Sequence, residues 1–341
     1  MSKKRKHINI PVFIPHLGCP NDCVFCNQRS ISGKLKFDLN SVKREIEEAL
    51  STVPSDAETE IAFFGGSFTG IDRDLMIYLL KLAQRYVDDG RVRSIRLSTR
   101  PDYINDEIID ILKSYSVRTI ELGIQSMSDN VLDACKRGHK AEVSAKACKM
   151  IKEAGFSLIG QMMIGLPGAD IDDEIKTAEA IVQMGADGTR VYPTVVFYET
   201  ELCQMAANGK YSPLTNDQAI HRTKEVLKVF NKANVPCIRV GLCASENLSS
   251  EDSVYGGANH SAIGELAIGE IFYEQMDELI SKSIAEHKIE NTLCIGVPMG
   301  CTSKAVGQRR KNILRLCDKY SLSNIKIVEK NSIIGYNITI E

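Results

Sequence analysis

The sequence predicts an α/β protein: a partial parallel (β/α)6-type barrel followed by a small α/β C-terminal domain. Short runs of β-branched and aromatic residues alternate with helix-length segments. Glycine, proline and polar residues stand where those runs end, and the pattern changes after residue 242. With 341 residues, of which 43% are hydrophobic, the chain is long enough to bury a large core.

The barrel is predicted from seven strand-like runs in succession, each separated from the next by helix-length sequence. Helix start signals support this division: Asn40 and Ser41 precede a helix predicted over 41–51, and an acidic run at 170–173 precedes one over 174–184. A further helix is predicted over 74–88. Such alternation is usually solved by parallel strands joined by crossover helices. The predicted strands are 8–14, 60–64, 94–99, 118–124, 157–164, 188–192 and 235–240.

The predicted domains are residues 1–245, the barrel, and residues 246–341, the C-terminal unit. Their boundary lies in a polar stretch, 246–257, that is rich in serine, asparagine and glycine. In the C-terminal unit the pattern predicts helices over 260–279 and 304–320, and strands over 293–297, 325–328 and 333–340.

Charge and hydropathy exclude several classes of protein. Forty-two basic and 44 acidic residues leave a formal charge of −2, so no global field indicates nucleic acid or a membrane surface. A basic run at 3–7 suits either RNA phosphates or a solvated tail. No apolar run approaches the roughly 18 residues of a membrane span, and the N-terminus lacks a signal-peptide core. We therefore expect a cytoplasmic protein with no membrane association, in which the 11 cysteines are reduced thiols.

Three cysteines stand close together in the sequence: Cys19, Cys23 and Cys26, in a C-x3-C-x2-C spacing. A [4Fe-4S] cluster takes one ligand per iron, so three thiolates would leave one iron open for another ligand. His16 precedes Cys19 by three residues, and a Cys3His zinc site is the competing interpretation. Iron–sulfur chemistry and a zinc-stabilised cytosolic binding protein are therefore the two alternatives.

Further motifs follow successive predicted strands. They are a glycine pair, Gly65 and Gly66, after the second strand, Ser98 at the end of the third, Gln125 at the end of the fourth, and Leu166 in a Gly-Leu-Pro-Gly turn after the fifth. Each motif alone is typical of an ordinary turn. Because the carboxyl ends of parallel strands lie on one edge, we expect all of them to meet there.

This ordered set resembles the radical S-adenosylmethionine (radical SAM) superfamily over residues 8–242. The nearest resemblance is to the branch that holds the Elongator catalytic subunit and the oxygen-independent coproporphyrinogen oxidases. About 100 residues follow the core, so we expect no acetyltransferase domain. The resemblance implies one [4Fe-4S] cluster on Cys19, Cys23 and Cys26. SAM would bind the open iron and be cleaved reductively to a 5′-deoxyadenosyl radical.

The same resemblance implies the SAM contacts. Gly65 and Gly66 would approach the methionyl amino group, Gln125 the ribose, and Arg137 the carboxylate, while Leu166 would pack beneath the adenine. Two positions depart from the coproporphyrinogen oxidases, because Ser98 and Gln161 stand where those enzymes carry acidic side chains. Both keep hydrogen-bonding capacity but lose a charge, which argues against coproporphyrinogen as the substrate.

The expected partners are an unidentified substrate, either tRNA or a small molecule, and an electron donor such as flavodoxin or ferredoxin. His260 and Glu265 are expected to form a packed, hydrogen-bonded pair. The spacings of Cys237 with Cys243 and of Cys294 with Cys301 give no tight ligand loop, so these thiols are expected to be buried and not to hold a second cluster.

Overall fold

The computed structural model describes residues 7–14, 17–19, 23–27, 37–54, 56–242, 253–285 and 291–340. Seven strands form one parallel sheet, and each strand pairs with the next along the chain. The predicted partial parallel barrel is therefore confirmed, as a curled half-barrel. Its strands are β1 (His7–Ile14), β2 (Glu58–Gly65), β3 (Ser94–Thr99), β4 (Val117–Gln125), β5 (Ser157–Ile164), β6 (Gly188–Pro193) and β8 (Cys237–Val240).

Helices join these strands and cover the outer face of the sheet. Most begin at an Asp, Asn or Thr whose side chain accepts a hydrogen bond from the first turn, as at Asp72, Asn105, Asp170 and Thr215. The barrel helices are α1 (Leu39–Thr52), α2 (Arg73–Asp88), α3 (Asp106–Lys113), α4 (Asp129–Ala134), α5 (Ala141–Glu153), α6 (Ile171–Gln183), α7 (Glu201–Ala207) and α8 (Asn216–Lys232).

The two faces of the sheet differ in chemistry. Side chains such as Ile61, Leu97 and Ile120 point outward and form the main hydrophobic core with the helices. The alternate positions on the same strands point inward and include the charged residues Glu60 and Arg96. The half-barrel therefore has an apolar outer layer and a polar interior.

A short antiparallel ribbon lies outside the parallel sheet. It pairs β7 (Val195–Phe197) with β9 (Val254–Gly257), and the sequence pattern did not predict it. Strands of three and four residues are too short for a periodicity signal, and residues 198–242, which follow β7, contain two helices and another strand.

The C-terminal unit has its own core. Helix α9 (Ile263–Ala285) places Ala267 and Ile271 in the barrel core, while Phe272, Met276 and Ile280 belong to the C-terminal core. One helix thus connects both units. The rest of the unit comprises β10 (Thr292–Pro298), α10 (Thr302–Val306), α11 (Lys311–Tyr320), β11 (Asn324–Lys330) and β12 (Thr339–Ile340).

Three predictions for this unit need correction or stay open. The helix predicted over 304–320 is broken, because Gly307 has φ +76° and both Arg309 and Arg310 are left-handed. The strand predicted over 333–340 shrinks to β12, since residues 331–337 form turns. The domain boundary at 245/246 falls outside the described residues and stays a prediction.

No helix within the described ranges combines the length and the apolar character that crossing a membrane requires.

Candidate active site

The candidate active site lies at the carboxyl edge of the sheet, where the sequence motifs were expected to meet. The loop after β1 carries Cys19, Cys23 and Cys26. Cys23 is buried, Cys19 is half-buried and Cys26 is exposed. The Cys26 backbone N–H donates to the Cys23 carbonyl at 2.9 Å, which closes a tight turn around the last two thiols.

Neighbouring elements hold this loop in place through Val24. Its backbone accepts a hydrogen bond from Leu202 (2.8 Å) and donates one to the carbonyl of Cys135 (3.2 Å). Its side chain packs in a small hydrophobic cluster with Val131 and Leu166. Leu166, predicted to lie beneath the adenine, is therefore in the cluster that supports the cysteine loop.

Two buried arginines converge on the central cysteine. Arg137 Nη1 lies 3.5 Å and Arg100 Nη1 lies 3.7 Å from Cys23 Sγ. The far end of Arg137 donates to the Gly123 carbonyl at 2.6 Å, and Arg100 donates to the Arg137 carbonyl at 2.5 Å. Both guanidinium groups are less than 7% exposed, so little water screens their positive charge beside this sulfur.

Burial raises the pKa of the Cys19 thiol, and the positive charges of Arg100 and Arg137 oppose that shift. The site thus combines desolvation of the Cys19 thiol with fixed positive charge.

Arg100 is held by groups around the start of the loop after β3. The Arg100 guanidinium donates two hydrogen bonds to the Asp102 carboxylate, at 2.9 and 2.8 Å, and the Arg100 backbone N–H donates to Ser67 Oγ at 2.9 Å. Ser67 in turn bonds Thr99, which bonds Thr69 at 2.6 Å. Sequence reasoning missed Arg100 as a site residue, although the Thr-Arg-Pro motif at this strand end was visible.

The glycine pair brings the end of β2 against the loop after β1. Gly65 has φ +111°, and a Cβ on Gly66 would lie 2.1 Å from the Leu17 carbonyl oxygen. The Gly66 N–H donates to Ile14 and the Ser67 N–H donates to Leu17. The glycine pair thus packs closely against the chain segment that leads into Cys19, and its predicted approach to the methionyl amino group of SAM stays a prediction.

Gln125 ends β4 in an unusual conformation. Its φ is +66°, and the register between β4 and β5 shifts between Gly123 and Gln125. A Cβ on Gly123 would lie 3.0 Å from both Arg137 Nη2 and Gln125 Nε2. Gln125 Oε1 is buried and, within the described part of the chain, has no hydrogen-bond partner. A buried, unpartnered amide oxygen beside Arg137 is suited to a polar ligand.

A charged network fills the interior of the half-barrel below this edge. The Glu121 carboxylate, 1% exposed, accepts hydrogen bonds from Arg96 (2.9 Å), Arg190 (2.9 Å) and Gln161 (2.8 Å). Gln161 therefore lies deeper than the cysteine loop, hydrogen-bonded to a carboxylate. Ser98 is half-buried on β3, two residues beyond Arg96 on the same face.

The structure thus brings most of the predicted site residues together. Arg137 contacts Cys23 through Nη1 and Gly123 through Nη2, Gln125 lies beside Gly123, and Leu166 packs in the cluster that supports the loop. His260 Nδ1 accepts from the Ala262 N–H and Glu265 is exposed, so the expected buried pair of His260 and Glu265 is wrong.

The thiols outside the motif differ in burial. Cys301 is buried, whereas Cys237 and Cys294 are only half-buried. Cys243 lies outside the described residues.

The donor set suits a cluster that is open at one iron. Three thiols lie on one loop, two buried cations face the central thiol, and a buried amide oxygen lies nearby. In the ranges that the structure describes, which include all three motif cysteines, no three His, Cys, Asp or Glu side chains converge on one point, so the fit rests on the chemistry of the donors and not on a formed ligand geometry. The fourth zinc ligand of the alternative interpretation, His16, is outside those ranges.

A parallel half-barrel with a thiol-bearing loop at its carboxyl edge defines a class of cofactor-dependent enzymes. The chain belongs to the radical SAM superfamily: it matches that superfamily over residues 13–181 and the Radical_SAM C-terminal domain over residues 186–272. Enzymes of this superfamily use a [4Fe-4S] cluster and SAM and cleave SAM at the cluster. This membership replaces the alternative of a zinc-stabilised binding protein.

Relatives place the chain near the Elongator branch. It is 27% identical over 198 residues to tRNA uridine(34) acetyltransferase of Methanocaldococcus jannaschii, an alignment that spans 52% of this chain and only 37% of that protein. An uncharacterized protein of the same organism is 29% identical over 229 residues, which are 64% of this chain and 70% of that protein.

Among solved structures, archaeal Methanocaldococcus infernus Elp3 with an N-terminal deletion shares the fold. The TM-score is 0.61 at 21% identity, over 80% of this chain and 68% of that chain. This structure shows the shared fold, while the family match and the curated relatives, which include an Elongator complex protein 3, confirm the resemblance to the Elongator branch.

Proposed function

We propose that this protein is a radical SAM enzyme that acts on tRNA, with its cluster held by Cys19, Cys23 and Cys26. When bound, the cluster and SAM supply an electron and a cleavable carbon–sulfur bond, from which the 5′-deoxyadenosyl radical arises. The observation that carries this assignment is the approach of two buried guanidiniums to Cys23 Sγ at the carboxyl edge of the sheet. Like all radical SAM enzymes, the protein needs a reductant and a substrate.

The arginines have distinct roles in this proposal. Arg100 is tied to Asp102 by two hydrogen bonds and serves as fixed positive charge beside Cys23. Arg137, whose Nη2 donates to the Gly123 carbonyl, would bind the SAM carboxylate through its guanidinium. Gln125 meets the ribose through its amide, which offers a buried oxygen with no partner in the described chain.

The remaining predicted contacts with SAM and the substrate depend on close packing and on the lining of the interior. Gly65 and Gly66 would present their backbone to the methionyl amino group. Their lack of side chains also lets the end of β2 pack against the backbone of Ile14 and Leu17. Leu166 packs beneath the adenine at the end of β5, where it is 3% exposed. Ser98 and Gln161 line the interior wall and hydrogen-bond the substrate or the ribose.

The charged network centred on Glu121 stabilises that wall. Glu121 is bonded to side chains from β3, β5 and β6, so a single carboxylate ties three strands together. Held this way, the interior side chains are pre-positioned for a substrate and exclude bulk water from the radical.

Two observations favour tRNA over a small molecule. The relative from M. jannaschii that aligns over half of this chain carries the name tRNA uridine(34) acetyltransferase. In the C-terminal unit, Arg309, Arg310 and Lys311 form an exposed basic turn. Within the described residues no carboxylate pairs with Arg309 or Arg310, whereas Lys311 lies 3.7 Å from Glu270. Unpaired exposed cations suit RNA phosphates despite the near-neutral total charge.

We place the enzyme in the cytoplasm, where thiols are reduced, and name flavodoxin or ferredoxin as the class of electron donor. The test is to incubate the anaerobically reconstituted protein with SAM and dithionite, with and without an unmodified tRNA transcript. We expect tRNA to raise 5′-deoxyadenosine formation and to show a changed nucleoside mass after digestion. SAM cleavage that is indifferent to tRNA, with unaltered nucleosides, would refute tRNA as the substrate and leave the SAM chemistry standing.

A further inference from the structure

Two tyrosines are exposed side by side near the mouth of the site. Tyr198 is 43% and Tyr255 is 40% exposed, and their rings form an edge-to-face pair with centroids 5.9 Å apart. In this geometry one ring keeps both faces clear of its partner. Exposed aromatics scattered singly are common, but two in contact form a surface.

This aromatic pair is attached to the cysteine loop. Asn27, the residue after Cys26, donates from Nδ2 to the Tyr198 carbonyl at 3.2 Å. The pair therefore adjoins the loop that carries the three thiols. A hydrogen atom can be abstracted only from a substrate held beside the cofactor, so a binding surface at this place bears directly on which substrates react.

The backbone fixes the direction of both rings. Phe197 is buried at the end of β7, Tyr198 follows it, and the Tyr198 N–H donates to Ser253 at 3.2 Å. Glu199 then adopts φ +63°, and Thr200 Oγ1 donates to the Phe197 carbonyl at 2.6 Å. On β9 alternation turns Val254 inward and leaves Tyr255 outward.

We propose that Tyr198 and Tyr255 form a stacking platform for an unpaired nucleobase of the RNA substrate. The proposal rests on the tRNA function proposed above and adds the chemistry that presents one nucleotide to the cofactor. Proteins that recognise single-stranded or splayed-out nucleotides stack the bases on aromatic side chains, which supplies affinity without dictating sequence.

The chain contains no tryptophan, which allows a direct optical test. Tyr198→Trp introduces a single indole into the platform, and Tyr78→Trp places one at an exposed tyrosine on α2 as a matched control. The probe is a single-stranded uridine oligonucleotide of about eight residues, within the usual site size. We expect the oligonucleotide to quench the fluorescence of the platform variant, a duplex of equal length to leave it unchanged, and the control variant to show no change with either RNA.

Affinity measurements separate the platform from the RNA proposal itself. We expect Tyr198→Ala and Tyr255→Ala to weaken oligonucleotide binding by about 5- to 150-fold, the usual loss of one stacked base. Tyr198→Phe and Tyr255→Phe keep the ring and should stay within about twofold of the parent, and Tyr78→Ala should bind like the parent. Circular dichroism melting confirms that each variant is folded, and the Phe variants keep the test valid if an Ala variant is not.

The outcomes are distinguishable. If the parent binds RNA and the platform Ala variants bind as tightly as Tyr78→Ala, the platform is refuted while tRNA remains the substrate class. If the parent binds no RNA, or if free uridine but no oligonucleotide quenches Tyr198→Trp, the RNA class itself is refuted together with the platform.

Discussion

Gly66→Ala tests the geometry of the cysteine loop most sharply. The new methyl would lie 2.1 Å from the Leu17 carbonyl oxygen and 3.1 Å from that of Ile14. Carbon–oxygen contacts settle at about 3.3 Å or more, so the loop or the end of β2 has to move by about 1 Å. Both obstacles are backbone atoms, which cannot swing aside as a side chain would.

The expected consequence is a loss of catalysis at the cofactor site. A displacement of about 1 Å at a reacting centre costs on the order of 100-fold in rate. We therefore expect the reconstituted Gly66→Ala variant to form 5′-deoxyadenosine about 100-fold more slowly than the parent, as measured by mass spectrometry. Overpacking should also lower the stability by about 1–3 kcal/mol.

The matched control is Gly256→Ala, because nothing lies within 4 Å of a Cβ at that position and its φ is not positive. We expect it to cleave SAM at the parental rate. Equal rates for Gly66→Ala and Gly256→Ala would show that the close approach of β2 to the cysteine loop is not needed, and the proposed role of the glycine pair would fall.

Three further predictions concern other parts of the molecule. Glu121→Ala removes a carboxylate that is 1% exposed and leaves buried guanidiniums without their partner, so urea unfolding should show a free energy of unfolding lower by about 3–5 kcal/mol. The control, Glu48→Ala at an exposed ion pair, should lower it by less than about 1 kcal/mol. An unchanged urea midpoint for Glu121→Ala would show that this carboxylate does not hold β3, β5 and β6 together. Replacing Arg309 and Arg310 together with Ala should weaken tRNA binding and reduce the slope of log affinity against log salt by roughly 1–2 units; an unaltered slope would show that the turn makes no phosphate contacts. Burial raises the pKa of the Glu60 carboxyl, but its hydrogen bonds and the adjacent Arg96 guanidinium outweigh that effect, so the pKa in the folded state is lowered. The Glu60 carboxylate therefore stabilises the fold above about pH 4.3, and this stabilisation is lost as the pH falls through the folded-state pKa. Glu60→Gln should show a smaller drop of the urea midpoint on acidification, and a drop equal to the parental one would contradict this.

Local sequence signals predicted the frame of the barrel. Strand-forming runs, acidic and hydroxyl caps and terminal glycines are local, and tertiary packing did not overrule them in the barrel. The cysteine loop and the glycine pair were visible for the same reason. Where local signals conflicted, prediction failed: Gly307 breaks a continuous apolar periodicity at 304–320 because its φ is +76°, and a Cβ there would lie 2.9 Å from Asn312.

The electrostatics of the site depend on register and could not be read from local pattern. Arg100 and Cys23 are 77 positions apart, and their contact exists because β3 ends beside the loop after β1. The Glu121 network likewise requires adjacent strands to place their inward residues at one level. The left-handed backbone conformation of Gln125 occurs at a register shift beside Gly123, and nothing in the local sequence predicts that shift.

The most direct test of the central claim is SAM cleavage by the anaerobically reconstituted protein and by Cys23→Ala, with Cys294→Ala as a control at a half-buried cysteine on β10, outside the C-x3-C-x2-C motif. Iron and sulfide content are measured on the same samples. We predict 5′-deoxyadenosine from the parent and from Cys294→Ala, and neither product nor a stable cluster in Cys23→Ala. Undiminished SAM cleavage by Cys23→Ala, or none by a fully iron-loaded parent, would contradict the proposed site.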